Sequence, residues 1–140
     1  MNPILILDSG PLAAYLDKND SFHRWADVQL KSDFSLLITC EAVLSEVNFL
    51  LRKPSHGIDL LLQFLRDAPI VIQPIYDGNK KNILELLDRY SNLPMSFADA
   101  CLVRISELYP EAPILTLDSD FLIYRRNKNE RLPLIIPQER

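Results

Sequence analysis

Four acidic residues of this chain, Asp8, Glu46, Asp99 and Asp118, stand where one structural element gives way to the next or on the apolar side of a helical stretch. Each is flanked by sequence that should be buried, so each carboxylate is held near a core. Charged carboxylates gathered in low dielectric repel one another and lose hydration unless a cation joins them. For an all-oxygen donor set the economical cation is a hard divalent ion, Mg²⁺ or Mn²⁺. Asp120 lies close enough to Asp118 to be the reserve for the fourth position. Ser9 and Thr116 are supporting hydroxyls that could orient a carboxylate or a metal-bound water.

Each acid also has a purely structural use. Asp8 precedes Ser9-Gly10-Pro11 and could cap the helix that proline opens. Glu46 has Val43, Val47, Leu50 and Leu51 as helical neighbours, an apolar setting that glutamate rarely occupies without a partner such as Arg52. Ser96-Phe97-Ala98-Asp99 resembles a capping box, although aspartate is shorter than the usual glutamate or glutamine. A helix N-terminus also stabilises a carboxylate, so capping and ligation are compatible at Asp99. One of Asp118 and Asp120 should cap a short helix containing Phe121 and Tyr124.

The elements that must position these groups follow from hydrophobic patterning. Ile4–Leu7 is a short apolar run suited to a strand buried on both faces. Leu36–Ile38, Pro69–Ile72 and Ile114–Leu117 read as further strands, the last ending in Asp118, and Leu132–Ile136 as an edge strand. Helical patterns lie between them: one after Pro11, one over 20–32, one capped by Thr39 and running to about Lys53, and one over Ile58–Asp67. A long amphipathic helix is expected over Tyr76–Tyr90, with Ile83, Leu84, Leu86 and Leu87 on its apolar side, and another over Ser96–Leu108. Strands alternating with helices imply a parallel sheet covered on both faces. At 140 residues, 48% hydrophobic and 24% charged, the chain suits one domain over 1–140.

Other chemistries find little support. With only 3 glycines there is no phosphate-cradling loop of the P-loop or dinucleotide type. Cys40 and Cys101 are far apart without CxxC spacing and read as buried thiols in a reducing compartment. His23 and His56 neighbour none of the acids. The start at Met1-Asn2-Pro3 has no basic leader and no apolar run reaches membrane length, so a cytoplasmic protein without membrane association is expected. A net charge of −4 argues against a general polyanion binder. Arg125, Arg126, Lys128 and Arg131 cluster late in the chain, either as a solvated face or as a contact for a phosphate backbone.

The segments Ile6-Leu7-Asp8-Ser9-Gly10-Pro11-Leu12, Leu44-Ser45-Glu46-Val47, Leu93-Pro94-Met95-Ser96-Phe97-Ala98-Asp99-Ala100 and Leu115-Thr116-Leu117-Asp118-Ser119-Asp120-Phe121 together resemble a PIN domain of the VapC toxin type. They come in the family's order and span nearly the whole chain. The resemblance implies a three-layer α/β/α sandwich around a mainly parallel sheet of four to five strands. It implies a Mg²⁺- or Mn²⁺-dependent endoribonuclease whose acidic quartet maps onto Asp8, Glu46, Asp99 and Asp118. It further implies an RNA substrate, a homodimer and a cognate antitoxin partner in a toxin–antitoxin pair. On this reading Asp8 and Asp99 are the direct metal ligands, Glu46 and Asp118 act through water or hold a second ion, and Arg104, Arg125 or Arg126 contacts phosphate. Ser96 stands where close relatives often carry an acid. The rivals are a non-catalytic PIN-like interaction module, and an Asp-nucleophile phosphatase or phosphoacceptor domain. The latter chemistry also needs a lysine after a later strand and a second aspartate beside the first, and neither is present.

Overall fold

In the computed structural model, which describes residues 3–138, the first apolar run forms strand β1 over Ile4–Leu7. Leu5, Ile6 and Leu7 are all buried, because this strand has neighbours on both edges and helices over both faces. The remaining strands are β2 (Leu36–Cys40), β3 (Ile70–Gln73), β4 (Ile114–Leu115), β5 (Arg125–Arg126), β6 (Glu130–Arg131) and β7 (Leu134–Ile135). Five of them make one parallel sheet in the order β3-β2-β1-β4-β7, while β5 and β6 form a separate antiparallel ribbon. The result is the three-layer α/β/α sandwich.

That strand order decides where a site can form. From β1 the chain crosses to β2 and β3 on one side, and from β4 it crosses to β7 on the other. The connections leaving the carboxyl ends of β1 and β4 therefore diverge and open a crevice between them. Asp8 follows β1 at once, and Thr116 to Asp118 follow β4. Two helices complete the surroundings: α3 (Glu41–Leu50) carries Glu46, and α7 (Phe97–Leu108) carries Asp99. Helix α7 is buried around most of its circumference, from Ala98 through Val103 to Ser106, and packs against α3, β1 and β2.

Helices α1 (Ser9–Leu16), α2 (His23–Leu30) and α4 (Gly57–Asp67) follow the expected pattern, with α2 shorter than the 20–32 stretch. The helix expected over 76–90 is two: α5 (Ile75–Gly78) and α6 (Lys80–Arg89). The break falls at Asn79. Its side-chain amide donates to the Ile75 carbonyl (2.9 Å), and its carbonyl oxygen accepts from Arg104 Nε (2.7 Å). The Asn79 side chain thus competes with the ladder for a backbone acceptor, next to a glycine that adds further conformational freedom. Leu84, expected on the apolar side, is exposed, while Ile83 and Leu86 are buried.

Thr39 also departs from expectation. It lies within β2 and does not cap α3, whose N-cap is Cys40. The buried Thr39 hydroxyl donates to the Leu7 carbonyl across the sheet (2.7 Å), one residue before Asp8. The expected readings of Met1 and Asn2, and the last two residues of the 1–140 unit, lie outside the described residues. Among the described residues no helix is long and apolar enough to cross a membrane.

The Thr39 bond gives the fold its simplest test. Thr39→Val keeps the volume but leaves the Leu7 carbonyl without this donor, and should cost about 1–2 kcal/mol of stability in urea unfolding. Stability equal to that of the parent would contradict this role.

Candidate active site

An open cleft of about 770 Å³ lies at the carboxyl edge of β1 and β4, and Asp8, Glu46, Asp99, Asp118 and Asp120 all line it. The four acids singled out from the sequence, and the reserve, therefore share one depression. They are not equivalent in depth. Asp8 (5% exposed) and Asp99 (9% exposed) are buried at the floor, Glu46 and Asp120 are half-buried, and Asp118 is exposed.

Asp8 is fixed at both oxygens. Oδ1 accepts from the Ser9 backbone N–H (2.7 Å) and caps α1, and Oδ2 accepts from the Thr116 hydroxyl (2.7 Å). Capping and cleft lining thus coexist in one side chain. Thr116 is itself buried, and its hydroxyl oxygen accepts from the Asp118 N–H (3.0 Å), so one residue ties together the ends of β1 and β4. Ser9 supplies its backbone N–H to Asp8 and lines the cleft.

At Asp99 the capping box is half-formed. The Ser96 hydroxyl oxygen accepts from the Asp99 N–H (3.0 Å), as a helix cap should, but the Asp99 carboxylate turns to the Tyr124 hydroxyl, which donates to Oδ2 at 2.9 Å. Tyr124 is fully buried, with its ring against Tyr90 and Phe121. From the sequence Tyr124 is expected only within a short helix with Phe121, but the 3₁₀ turn spans Ser119–Leu122 and Tyr124 lies beyond it. Its partnership with Asp99 spans 25 residues and leaves no local pattern.

Charge follows burial. The Asp8 carboxyl is pushed from 3.8 up to about 7, chiefly by loss of hydration; the Thr116 and Ser9 bonds offset part of this, and repulsion from Asp99 and Glu46 adds to it. Asp99 is raised for the same first reason, with the fields of Asp118 and Glu46 contributing against the bonds from Tyr124 and Ser96. Burial and the neighbouring Asp99 carboxylate push the Tyr124 phenol up as well, so it remains a donor. Mutual repulsion links Asp8, Asp99, Glu46 and Asp118 into one electrostatic unit.

Asp118 and Asp120 sit on a 3₁₀ turn over Ser119–Leu122, which Asp118 caps by accepting from the Asp120 N–H (2.9 Å). Both line the cleft, so position alone leaves the fourth place open. Asp118 has the stronger coupling, because its charge acts on Asp99 and its backbone is bonded to Thr116.

None of the five acids has an ion-pair partner among the described residues, and no lysine, arginine or histidine lines the cleft. Arg52 does not pair with Glu46; its guanidinium lies over the Phe49 ring. The arginines expected to meet phosphate are committed elsewhere. Arg104 is paired with Glu107 and bonded to Asn79. Arg126 is buried, donating to the Ser106 and Pro110 carbonyls and to Glu130. Arg125 turns back onto the carbonyls of Leu122, Ile123 and Tyr124. One arginine of the run, Arg126, thus ties the β5–β6 ribbon to the end of α7.

The donor set suits a hard cation: carboxylate oxygens, two of them buried and repelling, with no cationic side chain to relieve them. Among the described residues no three acidic, histidine or cysteine groups stand close enough to hold an ion as a ready-made cluster. An ion here would keep several of its own waters between itself and the outer carboxylates, as Mg²⁺ commonly does.

The raised Asp8 pKa has a consequence for the metal-free protein. In the unfolded chain this carboxyl ionises near 4, whereas in the folded chain it holds its proton to about 7. The stability it contributes is therefore whole below about pH 4 and is lost as pH rises through 7. Asp8→Asn removes that loss. At about pH 8 with chelator, the Asn variant should be more stable than the parent by up to about 4 kcal/mol, and the gap should close toward pH 4. Identical pH profiles in thermal melts of the two proteins would contradict the burial of this charge.

Comparison with known proteins places this geometry. The PIN domain family model matches residues 5–127. No curated protein matches the chain by sequence. Among solved structures, that of VapC20 from Mycobacterium tuberculosis, a Sarcin-Ricin loop cleaving toxin, superposes with a TM-score of 0.73, covering 84% of this chain and 91% of that one at 20% identity. At that identity the likeness is one of fold. With the family model spanning β1 through the residues after β5, the chain belongs to the PIN domain family.

Proposed function

We propose that this chain is a Mg²⁺- or Mn²⁺-dependent endoribonuclease, the toxin of a toxin–antitoxin pair, working in the cytoplasm as a homodimer and held in check by a cognate antitoxin protein. The observation that carries the reading is the pair of buried carboxylates, Asp8 and Asp99, at the crevice of a PIN fold, with no side-chain cation beside them among the described residues. Membership of the PIN family supports nuclease chemistry. The shared fold with VapC20, which cleaves the Sarcin-Ricin loop, supports RNA as the substrate.

Asp8 and Asp99 would hold the metal directly, and Glu46 and Asp118 would reach it through water, with Asp120 in reserve. When bound, such an ion makes an attacking water more acidic and offsets charge developing on the phosphoryl oxygens. The protein's own contribution is orientation. Thr116 and the Ser9 N–H aim the two oxygens of Asp8, and Tyr124 fixes the rotamer of Asp99. Asp8 must give up its proton before it can act as an anionic ligand, so the affinity of the metal-free protein for the ion should fall as pH drops below about 7.

The spread of the carboxylates favours one second reading, a non-catalytic interaction module that keeps the fold and the acids without assembling an ion. Catalysis separates the two. Asp99→Asn should lower cleavage of single-stranded RNA by roughly a hundredfold or more, and Tyr124→Phe by about tenfold, with the fold retained by circular dichroism. Chelator should abolish cleavage by the parent. An Asp99→Asn protein as active as the parent would overturn the nuclease assignment, and a parent that cuts no RNA with either ion would favour the interaction module.

A further inference from the structure

The cleft has an acidic floor but an apolar wall, and the wall has no part in the chemistry described so far. Phe49, Leu50, Pro94 and Leu117 face the same space as the acids. Phe49 is the unusual member. It sits on α3 three residues after Glu46, on the same side of the helix, and is 61% exposed. The helix meets its packing needs through Val43 and Val47, both fully buried, so the phenyl ring is not a displaced core residue.

The ring is also held. The Arg52 guanidinium lies 3.9 Å from its centroid, and Arg52 Nε donates to the Phe49 carbonyl (3.1 Å). One face of the ring is covered by a cation, and its large exposure leaves the other surface open to the cleft. The terminal nitrogens of Arg52 make no hydrogen bond among the described residues, so their donors can meet a phosphate. With no basic side chain lining the cleft and Arg104, Arg125 and Arg126 engaged elsewhere, Arg52 is the cation best placed at its rim.

We propose that Phe49 backed by Arg52 is a nucleobase-stacking platform, with Phe49 receiving an unpaired base of the RNA and Arg52 an adjoining phosphate. This rests on the nuclease reading and deepens it. A base within a duplex has both faces occupied, whereas an unpaired one has a face to offer, and stacking on an aromatic ring tolerates any base. The pairing of an exposed ring with a guanidinium whose terminal donors are open matches a nucleotide, which carries a base and a phosphate side by side.

The test uses a short single-stranded RNA carrying 2-aminopurine, bound to protein with Asp8→Asn so that it is not cut. Phe49→Ala should weaken binding by about tenfold to a hundredfold and abolish the quenching of 2-aminopurine, while Phe49→Trp restores both. Arg52→Gln should reduce the slope of binding against log salt by about one phosphate contact. In the cutting-competent protein Phe49→Ala should raise KM more than it lowers kcat. Binding and quenching unchanged by Phe49→Ala would overturn the platform. So would a change of oligomeric state with RNA affinity intact, since Phe49 would then belong to a protein interface. A parent that binds and cuts no RNA would defeat the nuclease reading itself, an outcome distinct from loss at Phe49 alone.

Discussion

The burial of two carboxylates, with loss of the water that would hydrate them, is the constraint on which the rest of this structure turns. Asp8 and Asp99 approach each other from different elements, one at the end of the central strand and one in the first turn of the most deeply packed helix. Neither has an opposite charge beside it among the described residues, and both are held back from ionising by the loss of water around them. A fold that only needed stability would replace such groups with apolar ones or pair them. Keeping them unpaired makes sense where an ion from solution completes the set.

Holding two repelling groups in place requires hydrogen bonds that do not yield. The sheet order supplies one of them: because β1 and β4 are neighbours, Thr116 lies beside Asp8 and joins it to the backbone of Asp118. The segment after β4 supplies the other, burying Tyr124 among Tyr90 and Phe121 with its hydroxyl aimed at Asp99. These bonds favour the charged forms and limit the pKa rise that burial alone would impose. The outer acids, Glu46, Asp118 and Asp120, are more exposed than the two on the floor.

Much of this framework was legible in the residues. Ile4–Leu7 could be placed because a short apolar run ending in Asp-Ser-Gly-Pro has few other uses, and Asp99 because Ser96 marks the start of a helix three residues earlier. What escaped depended on contacts remote in the chain. Tyr124 meets Asp99 only after the chain has passed through β4 and the 3₁₀ turn. The arginine cluster reads as solvated because nothing local announces that Arg126 will be buried against the carbonyls of Ser106 and Pro110. Asn79 breaks an otherwise continuous amphipathic pattern through its side chain, which a count of apolar spacing ignores. Phe49 carries no mark in the sequence that singles it out from the apolar residues around it, and only its exposure sets it apart.

Calorimetric titration of Mn²⁺ into the metal-free protein tests most directly whether a cation completes the acidic floor. Saturable binding is expected in the parent, lost in Asp8→Asn and in Asp99→Asn, and retained when Glu111, an exposed acid outside the cleft, is replaced by Gln. Binding that survives both floor substitutions, or a parent that takes up no divalent ion, would contradict a cation on the acidic floor.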